Sequence, residues 1–206
     1  EMLELAGQGA KVVLTRSVEF ANKYNVPVRV LSSFNSGSGT LISLKDESME
    51  NALVSGIAFQ KDQVKFTLHG VGDVPGTAFK ILGPISNAGV EVDVIVQNVS
   101  VDGKTDFTFT VASEDEDSVK KVIDDVKEEV KYKDLIVNSD IAKVSLVGFG
   151  MRSQTGVASR AFKALSENDV NIQIICTSEI KITMVIDESL VDKTVRVLHE
   201  EFELDK

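Results

Sequence analysis

The sequence predicts an α+β protein built from two βαββαβ modules, and three observations lead to this prediction. Residues 64–100 and 142–179 repeat one order of strand, glycine-rich turn, helix and second strand. Each copy then continues into a further strand and an amphipathic helix. A chain of 206 residues with 43% hydrophobic content also suits two compact cores better than one.

The first copy begins with a strand and a helix. Val64, Phe66 and Leu68 alternate with polar neighbours, which predicts a strand with one buried face. The helix after the turn is predicted to begin near Pro75, because proline is tolerated in the first helical turn. Pro84 lies inside this helix, where a proline removes a backbone hydrogen bond, so we expect a kink or an early end.

Two strands, a helix and a closing strand complete the first copy. Residues 92–100 and 104–113 are rich in β-branched and aromatic side chains, and an Asp-Gly pair between them is typical of a hairpin turn. Residues 116–130 place valine and isoleucine at helical spacing behind an acidic start. Residues 133–140 predict the last strand, and the resulting order is that of a ferredoxin-like module.

The second copy has only three strands of its own. The pattern predicts three strands and two helices in the order 142–149 (β), 155–168 (α), 171–177 (β), 180–187 (β) and 189–202 (α). A missing fourth strand would leave an open sheet edge that is prone to aggregation. The run 53–59 has strand character and no other role, so we expect it to fill this position, with the first module inserted in the second. The predicted domains are 61–140 for the first module and 53–60 with 141–206 for the second.

Composition narrows the classes of partner and the compartment. A formal net charge of −10 disfavours nucleic acid and anionic membranes, which attract clustered Lys and Arg. The single cysteine, Cys176, excludes an intramolecular disulfide and a cysteine-based zinc site, and it fits a reducing cytosol. No apolar run approaches the roughly 20 residues that span a bilayer. We therefore expect a soluble cytoplasmic protein, and its start at Glu1 suggests a piece of a longer chain.

The turn "HGVGDVPGTAF", residues 69–79, raises the question of a ligand. A phosphate-binding P-loop needs Lys and then Ser or Thr after its glycines, and a dinucleotide site needs Gly-x-Gly-x-x-Gly in a parallel βαβ unit. Gly70, Gly72 and Gly76 match neither pattern. The glycines could simply allow a tight connection from strand to helix, and this structural explanation stays open.

A second interpretation of the turn is a site for a free amino acid. Gly76, Thr77 and Ala78 would present unpaired N–H groups at a helix start, which suit one carboxylate. Asp73 could hold an ammonium group, unless it only caps the helix. Gln97, near the end of the next strand, could add an amide contact or be a solvated strand residue.

No catalytic or metal-binding constellation emerges elsewhere. His69 and His199 lie far apart in the sequence, and neither a Ser/His/Asp arrangement nor a metal-ligand spacing is apparent. The acidic run 113–118 fits a helix N-terminus and lacks the twelve-residue pattern of a calcium-binding EF-hand loop.

Several segments together resemble a known family. Residues 73–98, 103–111 and 143–186 closely resemble the paired ACT domains of monofunctional aspartate kinase, and the likeness extends over about 53–204. Residues 2–43 look like the last segment of that enzyme's amino-acid-kinase domain, so we expect 1–46 to be an α/β tail of that domain.

The resemblance implies a regulatory role. Aspartate kinase phosphorylates the side-chain carboxylate of aspartate with ATP, at the committed step toward lysine, threonine, methionine and isoleucine. Its catalytic domain opens with a Lys-Phe-Gly-Gly motif that this sequence lacks. We therefore expect a regulatory chain without a cofactor, with ATP and magnesium bound only by the kinase domain or α subunit. A stand-alone ACT-type amino-acid sensor is the alternative.

The resemblance also implies effector positions and a dimer. Family members bind lysine and/or threonine between ACT domains, often in a homodimer. The second turn lacks the Asp-x-Pro-Gly pattern of the first, so we expect it to complete a pocket rather than form its own. The carried-over positions are Asp73, Val74, Pro75, Gly76, Thr77, Ala78, Glu91, Val92, Asp93, Gln97, Val157, Ala158, Asn171, Ile172 and Ser178.

Overall fold

The computed structural model describes residues 1–43, 53–98, 102–152 and 155–205. These contain, in chain order, α1 Met2–Gly7, α2 Thr15–Lys23, β1 Val28–Val30, β2 Thr40–Ile42, β3 Gly56–Gly72, α3 Thr77–Asn87, β4 Ile95–Gln97, β5 Lys104–Ala112, α4 Glu116–Asp125, α5 Lys127–Val130, β6 Asp134–Val147, α6 Val157–Glu167, β7 Ile174–Thr177, β8 Lys181–Asp187 and α7 Val191–Glu201. Short 3₁₀ turns occur at Ser113–Asp115, Phe149–Arg152 and Glu188–Leu190.

The chain divides into two compact units. Unit 1 contains Glu1–Gln60, Val144–Ile186 and Leu190–Lys206, and unit 2 contains Lys61–Lys143 and Asp187–Ser189. The strands β3 and β6 each run through a boundary between the units.

Unit 2 has the predicted βαββαβ order, with its strands arranged β4-β5-β3-β6. In the antiparallel pair of β3 and β5, Phe66 lies opposite Phe109, and their rings stack with centroids 5.3 Å apart. The predicted inward-facing side chains Val64, Phe66 and Leu68 are all fully buried, which confirms the alternation. Each such side chain contributes about 1.5–3 kcal/mol through burial.

Unit 1 has the strand order β3-β6-β8-β7. Residues 56–60 supply its outer strand, and the Ser55 N–H donates to the Val147 carbonyl at 2.7 Å. The core contains fully buried residues from β6, β8 and the two helices α6 and α7: Val144, Leu146, Met184, Ile186, Ala161, Leu165, Val191 and Leu198. The predicted α+β class with two ferredoxin-like modules is confirmed.

The first 43 residues add α1, α2 and a separate antiparallel pair of β1 and β2, in which Val28 lies opposite Ile42. Several large apolar side chains in this segment are exposed: Val12, Leu14, Phe20, Tyr24, Val26, Leu31, Phe34 and Leu41. Within the ranges that the structure describes, none of the helices is long and apolar enough to cross a membrane.

Several predicted element bounds are wrong. The run at 64–68 and residues 56–59 of the run at 53–59 belong to one strand, β3, because the polar residues between them stay extended despite the left-handed φ of +57° at Asp62. The predicted strands at 133–140 and 142–149 likewise form the single strand β6.

The first helix does not end early at Pro84. It starts at Thr77, two residues after Pro75, and continues to Asn87. Ile81 and Ile85 on either side of Pro84 are fully buried, so packing offsets the cost of about 3 kcal/mol for a proline inside a helix.

The helix predicted at 116–130 and the strand predicted at 92–100 are also shorter than expected. The helix breaks into α4 and α5 at Val126, whose φ and ψ are −93° and 1°. The strand is reduced to β4 because the Thr110 hydroxyl accepts the Val94 N–H at 3.2 Å and replaces the regular ladder bond there. Residues 99 and 100 of the predicted strand lie outside the described residues.

Candidate ligand site at the start of α3

The start of α3 is shaped by Gly76. This residue has φ +95° and ψ −9°, a left-handed conformation that costs other residues about 1–2 kcal/mol. An added Cβ would meet nothing within 4 Å, so the backbone conformation rather than the space requires glycine here. The turn between β3 and α3 therefore ends in a left-handed residue directly before Thr77, the first residue of the helix.

Three amides at this helix start have no acceptor among the described residues: those of Gly76, Ala78 and Phe79. The prediction that Thr77 also has an unpaired N–H is wrong, because this group donates to the Val74 carbonyl at 3.2 Å. The left-handed Gly76 closes a turn that brings these two residues together, and the Pro75-Gly76 pair, typical of a type II turn, was a sequence signal for it that the prediction overlooked. The Phe79 amide was missed by the sequence analysis.

Asp73 and Gln97 lie together beside these amides. The Gln97 side-chain amide donates to Asp73 Oδ1 at 3.3 Å, and the Asp73 N–H donates to the Gly103 carbonyl at 3.0 Å. Asp73 makes no side-chain capping bond to α3, so the capping explanation for this residue is wrong. Both side chains are exposed and accessible to a ligand.

The other side of the turn faces a cavity of about 460 Å³ inside unit 2. Thr77 is buried there, and its hydroxyl donates to the Gly72 carbonyl at 2.8 Å. Lys80 forms an ion pair with Glu129 at 3.2 Å. The cavity is lined by Gly70, Gly72, Val74, Thr77, Lys80, Asp102, Gly103, Lys104, Glu129, Val130 and Lys131.

Glu91, Val92 and Asp93 lie at the other end of β4 from Gln97. Gln97 follows Asp93 by four steps of extended chain, which corresponds to about 13 Å. The structure therefore does not bring these three predicted site residues to the start of α3.

Asp93 instead has an internal partner. Its Oδ2 accepts a hydrogen bond from Lys143 Nζ, and the Lys143 side chain is only 4% exposed. A buried lysine needs such a partner, since an unpaired charge away from water is costly. The sequence signal for this pair was a lone lysine within the apolar run 141–148.

A His-Asp pair adjoins the glycine turn and was also missed. A β-bulge interrupts the pairing of β3 and β5 between Leu68 and Val71, with Gly70 at φ +69°. Asp106 Oδ1 accepts the Gly70 N–H at 3.0 Å, and Asp106 Oδ2 lies 3.0 Å from His69 Nδ1. The Gly70 hydrogen bond, followed by the contact with His69, holds the pKa of Asp106 below its usual range.

The second module places its predicted residues around α6 and β7 of unit 1. Val157 is buried and Ala158 is half-buried in the first turn of α6. Asn171 and Ile172 precede β7, while Ser178 follows it, so they lie at opposite ends of that strand. The Ser178 N–H donates to the Lys181 carbonyl at 2.8 Å.

Comparison with known proteins identifies both modules. ACT domain family models match residues 68–130 and 144–202. A crystal structure of aspartokinase α and β subunits matches with a TM-score of 0.69 and 42% identity, covering 73% of this chain and 99% of that one. The chain belongs to the aspartate kinase family. The regulatory subunit of aspartate kinase from Thermus thermophilus also matches, with 31% identity, a TM-score of 0.69 and the same two coverages.

Complete members of the aspartate kinase family are similar over the whole chain. Aspartate kinase of Pseudomonas fluorescens is 55% identical over 206 residues, and aspartokinase of Helicobacter pylori is 45% identical over 215. The chain spans about half the length of these relatives. The predicted resemblance to the regulatory ACT region of aspartate kinase is confirmed. The effector positions stay a prediction.

Proposed function

We propose that this chain is the part of an aspartate kinase that binds lysine and/or threonine and thereby inhibits ATP-dependent phosphorylation of aspartate. ATP and magnesium would be bound by the kinase domain, and this chain would hold no cofactor. The observation that supports the proposal best is the group of free amides at the start of α3 beside the pair of Asp73 and Gln97.

The proposed contacts follow from the charges of a free amino acid. The α-carboxylate binds the amides of Gly76 and Ala78, where the helix dipole favours a negative group. The ammonium binds Asp73, whose carboxylate is oriented by Gln97. Val74 and Pro75 shape the exposed turn around the ligand.

A structure of Escherichia coli aspartokinase III in complex with lysine and aspartate is among the related folds, with a TM-score of 0.72 and 23% identity. We propose that lysine or threonine acts on this chain by stabilising one of two arrangements. A difference in binding free energy of about 1–3 kcal/mol between them changes the affinity about 5- to 150-fold.

We also propose two protein partners. The strands β4 and β7 are the first and the last in the strand order β4-β5-β3-β6-β8-β7, so each has one unpaired edge. Ile95 on β4 and Ile175 on β7 are exposed, which suits a homodimer formed through ACT domains. The kinase domain or α subunit would cover the exposed apolar side chains of residues 12–41, among them Leu14 at 77% and Phe34 at 95% exposure. An adjoining cavity of about 570 Å³ in unit 1 is lined by parts of α1 and α2, by residues 25–27 and 42–43, and by Phe149 and Ile180.

Isothermal titration with lysine and threonine, separately and together, tests the effector proposal. We expect Asp73→Ala to weaken binding about 10- to 150-fold, because a hydrogen bond to a charged group contributes about 1.5–3 kcal/mol. Asp125→Ala is the matched control, since Asp125 is an exposed carboxylate of α4 in the same unit. Equal binding by the two variants would place the site elsewhere, and no heat from either amino acid with the unaltered chain would refute the effector proposal.

A further inference from the structure

Three buried polar side chains meet inside unit 1, between α1 and the sheet. Gln8 follows the last residue of α1, Ser145 lies on β6 and Thr183 lies on β8, and they are 8%, 1% and 4% exposed. The Ser145 hydroxyl donates to Gln8 Oε1 at 2.8 Å and lies 2.8 Å from Thr183 Oγ1. Because the Ser145 proton is used toward Gln8, the Thr183 hydroxyl donates to Ser145.

Such a cluster holds α1 in one position on the sheet. Apolar side chains at these three positions would bury a similar surface area, but they would allow α1 to slide over the sheet, because the hydrophobic effect has no preferred direction. Buried polar groups must be paired, so any shift that separates Gln8 from Ser145 leaves an unsatisfied carbonyl oxygen away from water. We call Gln8, Ser145 and Thr183 the Gln8 cluster.

Contacts around the Gln8 cluster attach the rest of α1 to unit 1. Glu1 Oε1 accepts the Ser55 hydroxyl at 2.6 Å and the Phe149 N–H at 2.9 Å. Lys181 Nζ, on β8, forms an ion pair with Glu4 Oε2 at 3.2 Å. Glu1, directly before α1, and Glu4, within it, are therefore both tied to the second module.

The chain just after α1 approaches β3 closely. Gly9 has φ +96°, and a Cβ added to it would collide with the carbonyl oxygen of Phe59. The side-chain amide of Gln60 donates to the Gly7 carbonyl at 3.4 Å. Backbone therefore lies against backbone at this point, which leaves little room for α1 to move alone.

We infer that residues 1–9 and the sheet of unit 1 are locked into one rigid block by the Gln8 cluster, and that the regulatory signal reaches the kinase domain through this block. The coupling part of this inference rests on the proposed function, whereas the rigid block follows from the geometry alone. Ser145 and Thr183 are then positioning residues that touch no effector.

Hydrogen exchange of the 206-residue chain, followed by mass spectrometry, tests the block. The amides of Gln8, Gly9 and Ala10 all donate to carbonyls of α1 and report its local opening. In Ser145→Ala, Gln8 Oε1 is left unpaired, so we expect these amides to exchange about 5- to 30-fold faster. Thr183→Val keeps the shape and removes one donor, so we expect a smaller acceleration at the same amides.

A matched control lies in unit 2. Thr67 and Thr108 have their hydroxyls 3.1 Å apart, and Thr67→Val removes one of them without touching residues 1–9. We expect normal exchange at residues 8–10 in this variant. Unchanged exchange at these residues in Ser145→Ala, or equal acceleration in Thr67→Val, would overturn the block. If Ser145→Ala does not fold, exchange at residues 8–10 in Thr183→Val, compared with Thr67→Val, decides whether the block exists.

Inhibition of the full-length enzyme tests the coupling. In Thr183→Val, we expect unchanged activity without effector and at least about a fivefold higher effector concentration for half-inhibition. Faster exchange with an unchanged inhibition curve would overturn the coupling and keep the block. If the unaltered chain binds neither lysine nor threonine, the proposed function fails, and the exchange experiment still decides on the block.

Discussion

The starts of α3 and α6 have the same backbone and different side chains. Gly76 and Gly156 both have φ +95°, with ψ of −9° and −2°, and each precedes a helix of 11 residues. The first helical bonds also match, from Lys80 N to the Gly76 carbonyl at 3.0 Å and from Arg160 N to the Gly156 carbonyl at 2.9 Å. The repeat therefore preserves the backbone at the start of the helix.

The side chains around the two helix starts serve different purposes. Asp73 and Gln97 meet beside α3, whereas the repeat places Thr177 at the position of Gln97 in the second module. Arg160 of α6 binds Glu201 of α7 at 2.8 Å and so joins two helices of its own unit. A left-handed glycine thus precedes both helices, and ligand chemistry depends on the acid and amide placed beside it.

Replacing the two glycines in parallel gives the largest expected effect. Gly76→Ala and Gly156→Ala should each lower the free energy of unfolding by about 1–2 kcal/mol, because alanine is strained at a left-handed φ. Urea denaturation measures this loss. Gly76→Ala should also weaken lysine or threonine binding in the same titration, and by more than Gly156→Ala does. An equal loss of binding in both variants would mean that the two helix starts are not functionally distinct.

Replacing Gln97 and Thr177 by leucine, one at a time, is expected to have a smaller effect on effector binding. Gln97→Leu removes the hydrogen bond to Asp73, which contributes about 0.5–1.5 kcal/mol, so binding should weaken about 2- to 12-fold. Thr177→Leu is the matched change in the second module and should leave the affinity unaltered. A titration in which Gln97→Leu binds as tightly as the unaltered chain would show that orientation of Asp73 does not matter.

The pH dependence of unit 2 gives the smallest effect. Asp106 has a lowered pKa in the folded state, so the unfolded chain takes up its proton first as the pH falls. Its contribution to stability is present above the unfolded pKa of about 3.9 and is lost as the pH falls through the folded value. Urea unfolding at a series of acidic pH values should show a shallower loss of stability in Asp106→Asn, and an identical slope would contradict this role.

The limits of sequence reasoning are clear at the same site. Asp73, Gly76 and Ala78 were recognised because a helix start and its amides are local features. The bond from the Thr77 amide to Val74 escaped notice, although the Pro75-Gly76 pair is typical of a type II turn with a left-handed glycine. Glu91 to Asp93 were carried over from the family, and the structure places them at the far end of β4 from Gln97.

The sequence by itself determined the module order, the repeat and the buried faces of the strands. These depend on periodicity and backbone preferences, which act between neighbours in the chain. Only the tertiary structure decided that Asp93 pairs with Lys143, 50 residues away, and that Gln8 pairs with Ser145, 137 residues away. Such buried polar pairs form where folding removes water from both partners at once, and no local pattern records that condition.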